Sequence, residues 1–329
     1  MITSEHIITL QNIRGMGPVK IGQICEKING SSVSSLDLET LFDIVEEMAK
    51  SGELSRTVPP EFDDFKKAEE AARRILSTNE RLGIGTVSRY DSAFPRNLLC
   101  TVSEEGKPAV PVLLYYRGDL SVTERPALAV IGTREPTPDG ERAGRYYAEA
   151  FASVGVNIVS GLALGCDTAG HRGALAAGGV TTAFLAHGLD TVYPSENAGL
   201  ADEIVEKGGL LMSEYPVGTR VNRYNLVARD RLQAGLSDAT LVVQTGVRGG
   251  TMHAVRATKA AGKPLFVADY RTSQGEKEAG NRMLKAEGAT GLRASAEDIR
   301  ADRDRYVNMI RPTAKYPETT EHCLPFNFD

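Results

Sequence analysis

The residues best placed to do chemistry fall in the run Val159-Ser160-Gly161-Leu162-Ala163-Leu164-Gly165-Cys166-Asp167-Thr168-Ala169-Gly170-His171. An apolar strand ending at Val159 enters Ser160-Gly161, a glycine-bearing loop follows, and a helix starts near Asp167. Such a junction aims free backbone N–H groups and a helix N-terminus at one spot, which suits a phosphate. The same grammar recurs in Ala129-Val130-Ile131-Gly132-Thr133-Arg134. It recurs again in Leu241-Val242-Val243-Gln244-Thr245-Gly246, which leads into Arg248-Gly249-Gly250-Thr251 and another helix. A single Gly-rich turn is weak evidence, often only a tight connection. Three of them, two carrying an arginine, favour a polyanion site in one crevice at the C-terminal edge of a parallel sheet. The phosphate-binding candidates are Gly132, Thr133, Arg134, Ser160, Gly161, Gly249, Gly250 and Thr251.

No Walker pattern occurs in these loops, and none of them, nor Gly83-Ile84-Gly85, completes the G-x-G-x-x-G dinucleotide fingerprint. Neither NTP hydrolysis nor nicotinamide chemistry is expected, and no cofactor is assigned. Asp167 and His171 sit four apart at a helix start and share one face. Two groups alone make a poor metal site, so the expected roles are structural: Asp167 caps the helix and His171 braces the loop. His187 and His253 are read the same way, since no Ser-His-Asp order emerges. No catalytic residue and no metal ligand is assigned.

These loops need a scaffold, and the pattern from about Ala127 supplies one by strict alternation. Strands are expected at Leu128–Ile131, Val156–Val159, Thr182–Ala186, Leu210–Ser213, Thr240–Val243 and Leu265–Ala268. Helices are expected over 139–153, 168–177, 197–207, 223–235, 250–261 and 278–287. Apolar, β-branched strands alternating with helices mean a mainly parallel sheet covered on both faces, a Rossmann-like doubly wound α/β domain ending near Asp298. Before it, Ile7, Ile8, Leu10, Ile13, Val19, Ile21, Ile24 and Ile28 recur at helix spacing, as do Leu38-Leu41-Ile44-Val45-Met48 and Phe62-Phe65-Ala68-Ala72-Ile75. Between the first two helices, Ile13-Arg14-Gly15-Met16-Gly17-Pro18-Val19-Lys20 resembles the turn of a helix-hairpin-helix module; the alternative is a Gly-rich αα turn with no DNA contact. Ser77-Thr78-Asn79 reads as a joint. Short extended pieces follow at Gly85-Thr86-Val87 and Val112–Gly118. The expected organisation is a helical domain over 1–78, an extension over 79–120, the Rossmann-like domain over 121–300 and a tail over 301–329.

The 329 residues carry a formal net charge of -5 with pI about 5.7, so any nucleic-acid contact must come from a local patch. No apolar run approaches membrane-span length, and the N-terminus lacks signal-peptide character. The 4 cysteines are scattered without a C-x-x-C pair, which suggests neither a zinc site nor a disulfide framework. A reducing cytoplasm fits best.

Ordered motifs then bring a known family into view. They begin with Tyr90-Asp91-Ser92-Ala93-Phe94-Pro95-Arg96-Asn97-Leu98 and Leu113–Gly118. Ile131-Gly132-Thr133-Arg134 and Ser160-Gly161-Leu162-Ala163 through Asp167 and His171 follow. His187-Gly188-Leu189-Asp190, Tyr193-Pro194, Ser213-Glu214-Tyr215-Pro216, Ala234–Asp238 and Gly280-Asn281 complete the series. In this order they resemble the DNA-processing protein A (DprA, or Smf) family over most of the chain. The resemblance implies single-stranded DNA binding, dimerisation through the Rossmann domain, loading of a RecA-type recombinase, and no catalysis. It also implies a pocket walled by a basic residue and a Phe-Pro-x-Arg-Asn-Arg stretch, whose Phe stacks on a base. Here that stretch is Arg223-Tyr224-Asn225-Leu226-Val227-Ala228-Arg229-Asp230-Arg231. Arg223, Arg229 and Arg231 match, which adds them and Leu226 to the DNA-binding candidates. Leu226-Val227 replaces Phe-Pro and Asp230 replaces Asn. Base–aromatic stacking contributes about 1–3 kcal/mol, which Leu226 does not supply in full. Tyr224 would share its face on an extended backbone. Asp230 either pairs with the flanking arginines and weakens phosphate binding or orients them.

Gly249-Gly250-Thr251 departs from the family in a second way and resembles the nucleotide-cleaving Lonely-guy proteins, although His253 and Arg256 follow where those have a nearby Arg and Glu. The family's small C-terminal winged helix is not expected either. Two further function classes therefore stay open: a nucleotide sensor or phosphoribohydrolase using the same crevice, and a scaffold that has lost ligand binding.

Overall fold

The protein is described here from a computed structural model covering residues 2–31, 35–55, 59–270, 275–293 and 307. Two compact units emerge, residues 1–94 with 111–115 and residues 95–110 with 116 onward. Apart from Val307, the 301–329 tail lies outside the described residues.

The first unit is helical: α1 (Ser4–Gln11), α2 (Pro18–Asn29), α3 (Leu38–Lys50) and α4 (Phe62–Arg81), followed by strand β1 (Gly85–Ser88). Ile7, Ile8, Leu10, Ile21, Ile24 and Ile28 are buried, as their spacing requires. The turn between α1 and α2 needs Gly15 at φ +85°, and Pro18 occupies the first position of α2, where its missing N–H costs nothing. Lys20 stands at this turn, but its Nζ bonds Gly15 O at 3.0 Å, so part of its charge is engaged locally. Ser77-Thr78-Asn79 is not a joint. It lies inside α4, which runs on until Gly83 takes φ +64° and Asn79 O accepts the N–H of Ile84 at 2.8 Å.

Strand β2 (Leu113–Gly118) leads into the second unit. There the chain alternates through β3 (Ala127–Ile131), α5 (Pro138–Ala152), β4 (Asn157–Ser160), α6 (Cys166–Ala176), β5 (Thr181–Leu185) and α7 (Ala198–Glu206). It continues through β6 (Leu210–Ser213), α8 (Arg223–Leu236), β7 (Ala239–Val242), α9 (Thr251–Ala260), β8 (Leu265–Asp269), α10 (Ala279–Ala286) and β9 (Thr290–Arg293). The strands run parallel in the order β6-β5-β4-β3-β7-β8-β9. The expected strands and helices stand within about two residues of their predicted ends. Only β9 was not foreseen; it holds a single buried residue, Leu292.

Period-two alternation divides the core. Leu128, Val130, Leu241, Phe266 and Ala268 face α5 and α6, while Ala129, Ile131, Val242 and Val267 face α9 and α10. The order of the strands reverses about β3, with β4, β5 and β6 on one side and β7, β8 and β9 on the other. Successive crossovers leave that point on opposite faces and open a crevice at the C-terminal ends of β3, β4 and β7.

The far end of α8 is held by one side chain. Lys263, between α9 and β8, donates from Nζ to Ala234 O at 2.9 Å, Gly235 O at 2.7 Å and Ser237 O at 2.8 Å, a cation on the carbonyls that a helix C-terminus leaves unpaired. Burial pulls its pKa from 10.5 down to about 8. Between those values the unfolded chain binds more protons than the folded one, so stability rises with pH there. Lys263→Met should lose that slope in urea titrations between pH 8 and 10, and should cost on the order of 2 kcal/mol at pH 7.

Candidate nucleic-acid interface

The three junctions interlock through backbone. Gly132, after β3, has no room for a side chain: a Cβ would lie 2.5 Å from Cys166 Sγ and 2.9 Å from Gln244 O. Thr133 donates its N–H to Gln244 O at 2.8 Å, and Thr133 O accepts the N–H of Cys166 at 3.1 Å. Gly165 caps α6 at φ +81°, where a Cβ would stand 2.5 Å from Thr133 O. The loops after β3, β4 and β7 are thereby tied into one rim.

Side chains fix the loop after β4. His171 is fully buried, with Nε2 2.5 Å from Gly161 O and Nδ1 2.7 Å from Thr181 Oγ1, and burial lowers its pKa. It braces the loop as expected. Asp167 does not cap the helix; Gly165 holds that position, and Asp167 Oδ2 accepts the N–H of Ala163 at 3.2 Å. Asn197 Nδ2 ties Leu162 O and Thr168 Oγ1, each at 2.9 Å. Ser160 is not on the rim: it is completely buried and its Oγ donates to Val130 O at 2.6 Å. Gly161 is likewise buried against Arg229 and Asp167, and its role is to let them approach.

The rim encloses a crevice of about 800 Å³. Gly132, Thr133 and Arg134 line it from β3, Gly249, Gly250 and Thr251 from the loop into α9, and Arg223, Leu226 and Arg229 from α8. Arg248 lines it as well, a residue present in the third motif but absent from the expected site. The side chains of Arg134, Arg223 and Arg248 are exposed and make no hydrogen bond or salt bridge within the described residues. Three cations facing one cavity without internal partners offer the charge complement of an anion with several charges.

The segment from Arg223 to Arg231 is helical, so its residues sort by about 100° per step. Arg223, Leu226, Val227, Asp230 and Gln233 fall on one broad face with Arg229 at its edge, and all six line the crevice. Tyr224 falls on the other side and is 86% exposed; the extended geometry that would bring it beside Leu226 does not occur. Arg231 points away too. It meets Glu214 through two contacts of 2.7 Å and donates to Ala109 O at 3.0 Å, so it is a structural cation and not part of the expected wall. Arg229 forms the floor. It is 6% exposed, donates from Nη1 to Phe184 O at 2.8 Å, and has Nε 3.2 Å from Asp230.

Asp230 carries the unusual ionisation. Burial pushes its pKa up to about 6, with Arg229 pulling it back and Asp167 adding to the rise. His253 and Arg134 face it as well and favour its charged form. On α9, His253 and Arg256 are both held by Glu104, which the sequence places far away; the Arg256 contact is 2.5 Å. No group of three or more His, Cys, Asp or Glu side chains among the described residues is arranged to hold a metal ion. No helix there is long and apolar enough to cross a membrane.

The family described as DNA recombination-mediator protein A matches residues 85–303. Protein Smf of Escherichia coli is 38% identical over 177 residues, which is 54% of this chain and 46% of that protein. DNA processing protein DprA of Streptococcus pneumoniae is 33% identical over 192 residues, 58% of this chain and 67% of that protein. The matched region thus spans under half of the Escherichia coli relative. Among solved structures, DprA of S. pneumoniae superposes with TM-score 0.73 at 27% identity, covering 92% of this chain and 98% of that one. DNA processing protein A of Helicobacter pylori, studied for its single-stranded DNA binding mode, superposes with TM-score 0.56 at 29% identity over 69% of this chain and 95% of that one.

Asp230 should give any anion bound in the crevice a pH-dependent affinity. Above pH 6 its carboxylate opposes a phosphate beside Arg229; protonation below pH 6 removes that charge, so affinity for a short oligonucleotide should rise as pH falls from 7.5 to 5.5. Asp230→Asn should bind about tenfold more tightly at pH 7.5 and lose most of that dependence, measured by fluorescence anisotropy. A full dependence surviving in folded Asp230→Asn would overturn the assignment to Asp230.

Proposed function

The chain belongs to the DNA recombination-mediator protein A family, and from that premise we propose that it binds single-stranded DNA and acts in recombination or natural transformation. The observation that carries this is the row of exposed arginines, Arg134, Arg223 and Arg248, around one crevice with no partners of their own. A strand's phosphates, about one per nucleotide, suit several such cations better than a single monophosphate does. Gly249, Gly250 and Thr251 begin α9 on the same rim and add backbone N–H donors. What the Helicobacter pylori structure says of its own protein, a single-stranded DNA binding mode, supports the same assignment here.

The partners follow from the family as part of the same proposal: a RecA-type recombinase loaded onto the bound strand, and a second copy of this chain joined through the Rossmann-like domain. A cytoplasmic location suits such a role. The boundary expected at 78 falls inside α4, so only the third segment of the expected division, 121–300, is kept as a functional one, with DNA contact assigned to it. The chain's role is binding and not catalysis. Glu104, which contacts α9, is taken up by His253 and Arg256, which leaves it a poor general base.

A titration with short single-stranded oligonucleotides, with AMP and GMP as competitors, tests the proposal. Oligonucleotide affinity should fall steeply with salt, whereas a mononucleotide pocket would give a shallow slope. Release of free base from AMP, GMP or CMP at enzymatic rates would replace DNA binding with phosphoribohydrolase chemistry. Arg134→Ala should weaken binding and lower the salt slope by about one, since one phosphate contact is lost. Unchanged affinity in a folded variant would remove Arg134 from the interface.

A further inference from the structure

Beside the crevice lies a second, smaller cavity of about 230 Å³. The two share Arg134, Glu135, Ala163, Leu226 and Arg229 as a common wall. Its remaining surface is largely apolar: Leu162, Leu164, Phe184, Tyr193 and Pro194. Tyr193 is 48% exposed and Leu164 41% exposed, so two large hydrophobic groups stand open to solvent at this cavity. A flat apolar ligand would cover them.

One polar side chain departs from this lining. His187 follows β5, is 2% exposed, and lines the cavity. Its backbone is fixed by Ser213 Oγ, which donates to His187 O at 2.7 Å. Its Nδ1 lies 2.9 Å from Gly188 O. A carbonyl only accepts, so Nδ1 carries the proton. The ring also feels the Tyr193 backbone, but Nε2 meets no group in hydrogen-bonding geometry and is left buried without a partner. Burial lowers the His187 pKa, which keeps the ring neutral near pH 7 and Nε2 a lone-pair acceptor. A buried acceptor without a donor is costly, and a ligand that supplied one would recover that cost.

We propose that this cavity receives one base of the bound strand and that His187 Nε2 selects it, by accepting a hydrogen bond from an exocyclic amino group. Cytosine and adenine present such a donor at N4 and N6; uracil and thymine place a carbonyl oxygen in the equivalent position of the pyrimidine ring. The His187 lone pair favours the first pair and repels the second. Arg134 and Arg229 meet the strand on the shared wall, and their contacts do not depend on the base. The inference rests on the single-stranded DNA assignment and adds to it a preference among bases.

The test compares 12-mers of deoxycytidine and deoxyuridine, near-isosteric strands that differ at the amino group, by anisotropy at pH 7.5. The wild-type protein should prefer the cytosine strand by about threefold to tenfold, the range a neutral hydrogen bond gives. Strands of N4,N4-dimethylcytosine, which lack the donor, should lose the preference with no change to the protein. His187→Leu should bind both natural strands equally, at about the wild-type affinity for deoxyuridine. Equal wild-type binding of the two natural strands would overturn the role of His187 and leave DNA binding intact. So would a cytosine preference that survived in folded His187→Leu. Binding of neither strand would overturn the DNA assignment itself. CMP binding more tightly than the cytosine strand would mark the cavity as a mononucleotide site and overturn both.

Discussion

The functional region depends on one steric constraint, the close approach of three loops at the C-terminal ends of β3, β4 and β7. Gly132 lies against Cys166 and Gln244, and Gly165 lies against Thr133 and Arg134, at distances that exclude any Cβ. Because each of these glycines is pressed against a neighbouring loop, the loops cannot move independently. Arg134 therefore leaves a rigid turn, and the start of α6 and the loop into α9 are held against the same frame. Cys166, buried with its thiol pushed up to about 12, acts here as a small apolar filler and not as a nucleophile.

Rigidity of the rim permits a charge that would otherwise be unfavourable. A nearly buried arginine is costly unless its donors are answered. Arg229 is answered in part: Nη1 donates to Phe184 O, and the Asp230 carboxylate lies 3.2 Å from Nε as a counter-charge, although Nε itself makes no hydrogen bond; Asp230 in turn takes a bond from Gln233 at 3.2 Å. This group leaves a positive floor under the crevice that is partly neutralised, while Arg134, Arg223 and Arg248 stay unpaired at the rim. Arg231, one residue further along the helix, shows the opposite outcome: its pairing with Glu214 is bidentate and its charge is committed to the fold.

Much of this was legible in the sequence, and the failures share a cause. Strand and helix positions in the second unit follow from apolar runs separated by helical periods, a local signal. The shared crevice followed from three similar junctions. Ser160 was misassigned because a hydroxyl at a strand end looks available for phosphate, while its true partner, Val130 O, belongs to the neighbouring strand. Arg231 was misassigned because matching a motif residue by residue takes no account of the helix, which turns it away from Arg223. Strand β9 escaped notice since it buries one residue and is bounded by no long apolar run. Glu104 on His253 joins residues far apart in the chain and leaves no local trace.

For an acidic chain to bind a polyanion, as proposed, it must do so with few cations, and the arrangement here shows how few. The net charge of -5 gives no general attraction, so attraction is limited to the arginines gathered at one sheet edge. Three carboxylates, Glu135, Asp167 and Asp230, line the same cavity and reduce the field further. Phosphate contacts alone would then give a strand modest, strongly salt-dependent affinity. By the family resemblance Leu226 stands where an aromatic residue is expected, and its side chain lacks that source of base binding. The open apolar cavity on the other side of Leu226, with Tyr193 exposed at it, is the feature that can supply it again. On this view the chain exchanges stacking on α8 for enclosure beside β5. The cations then set where the backbone lies, and the cavity sets which base is held.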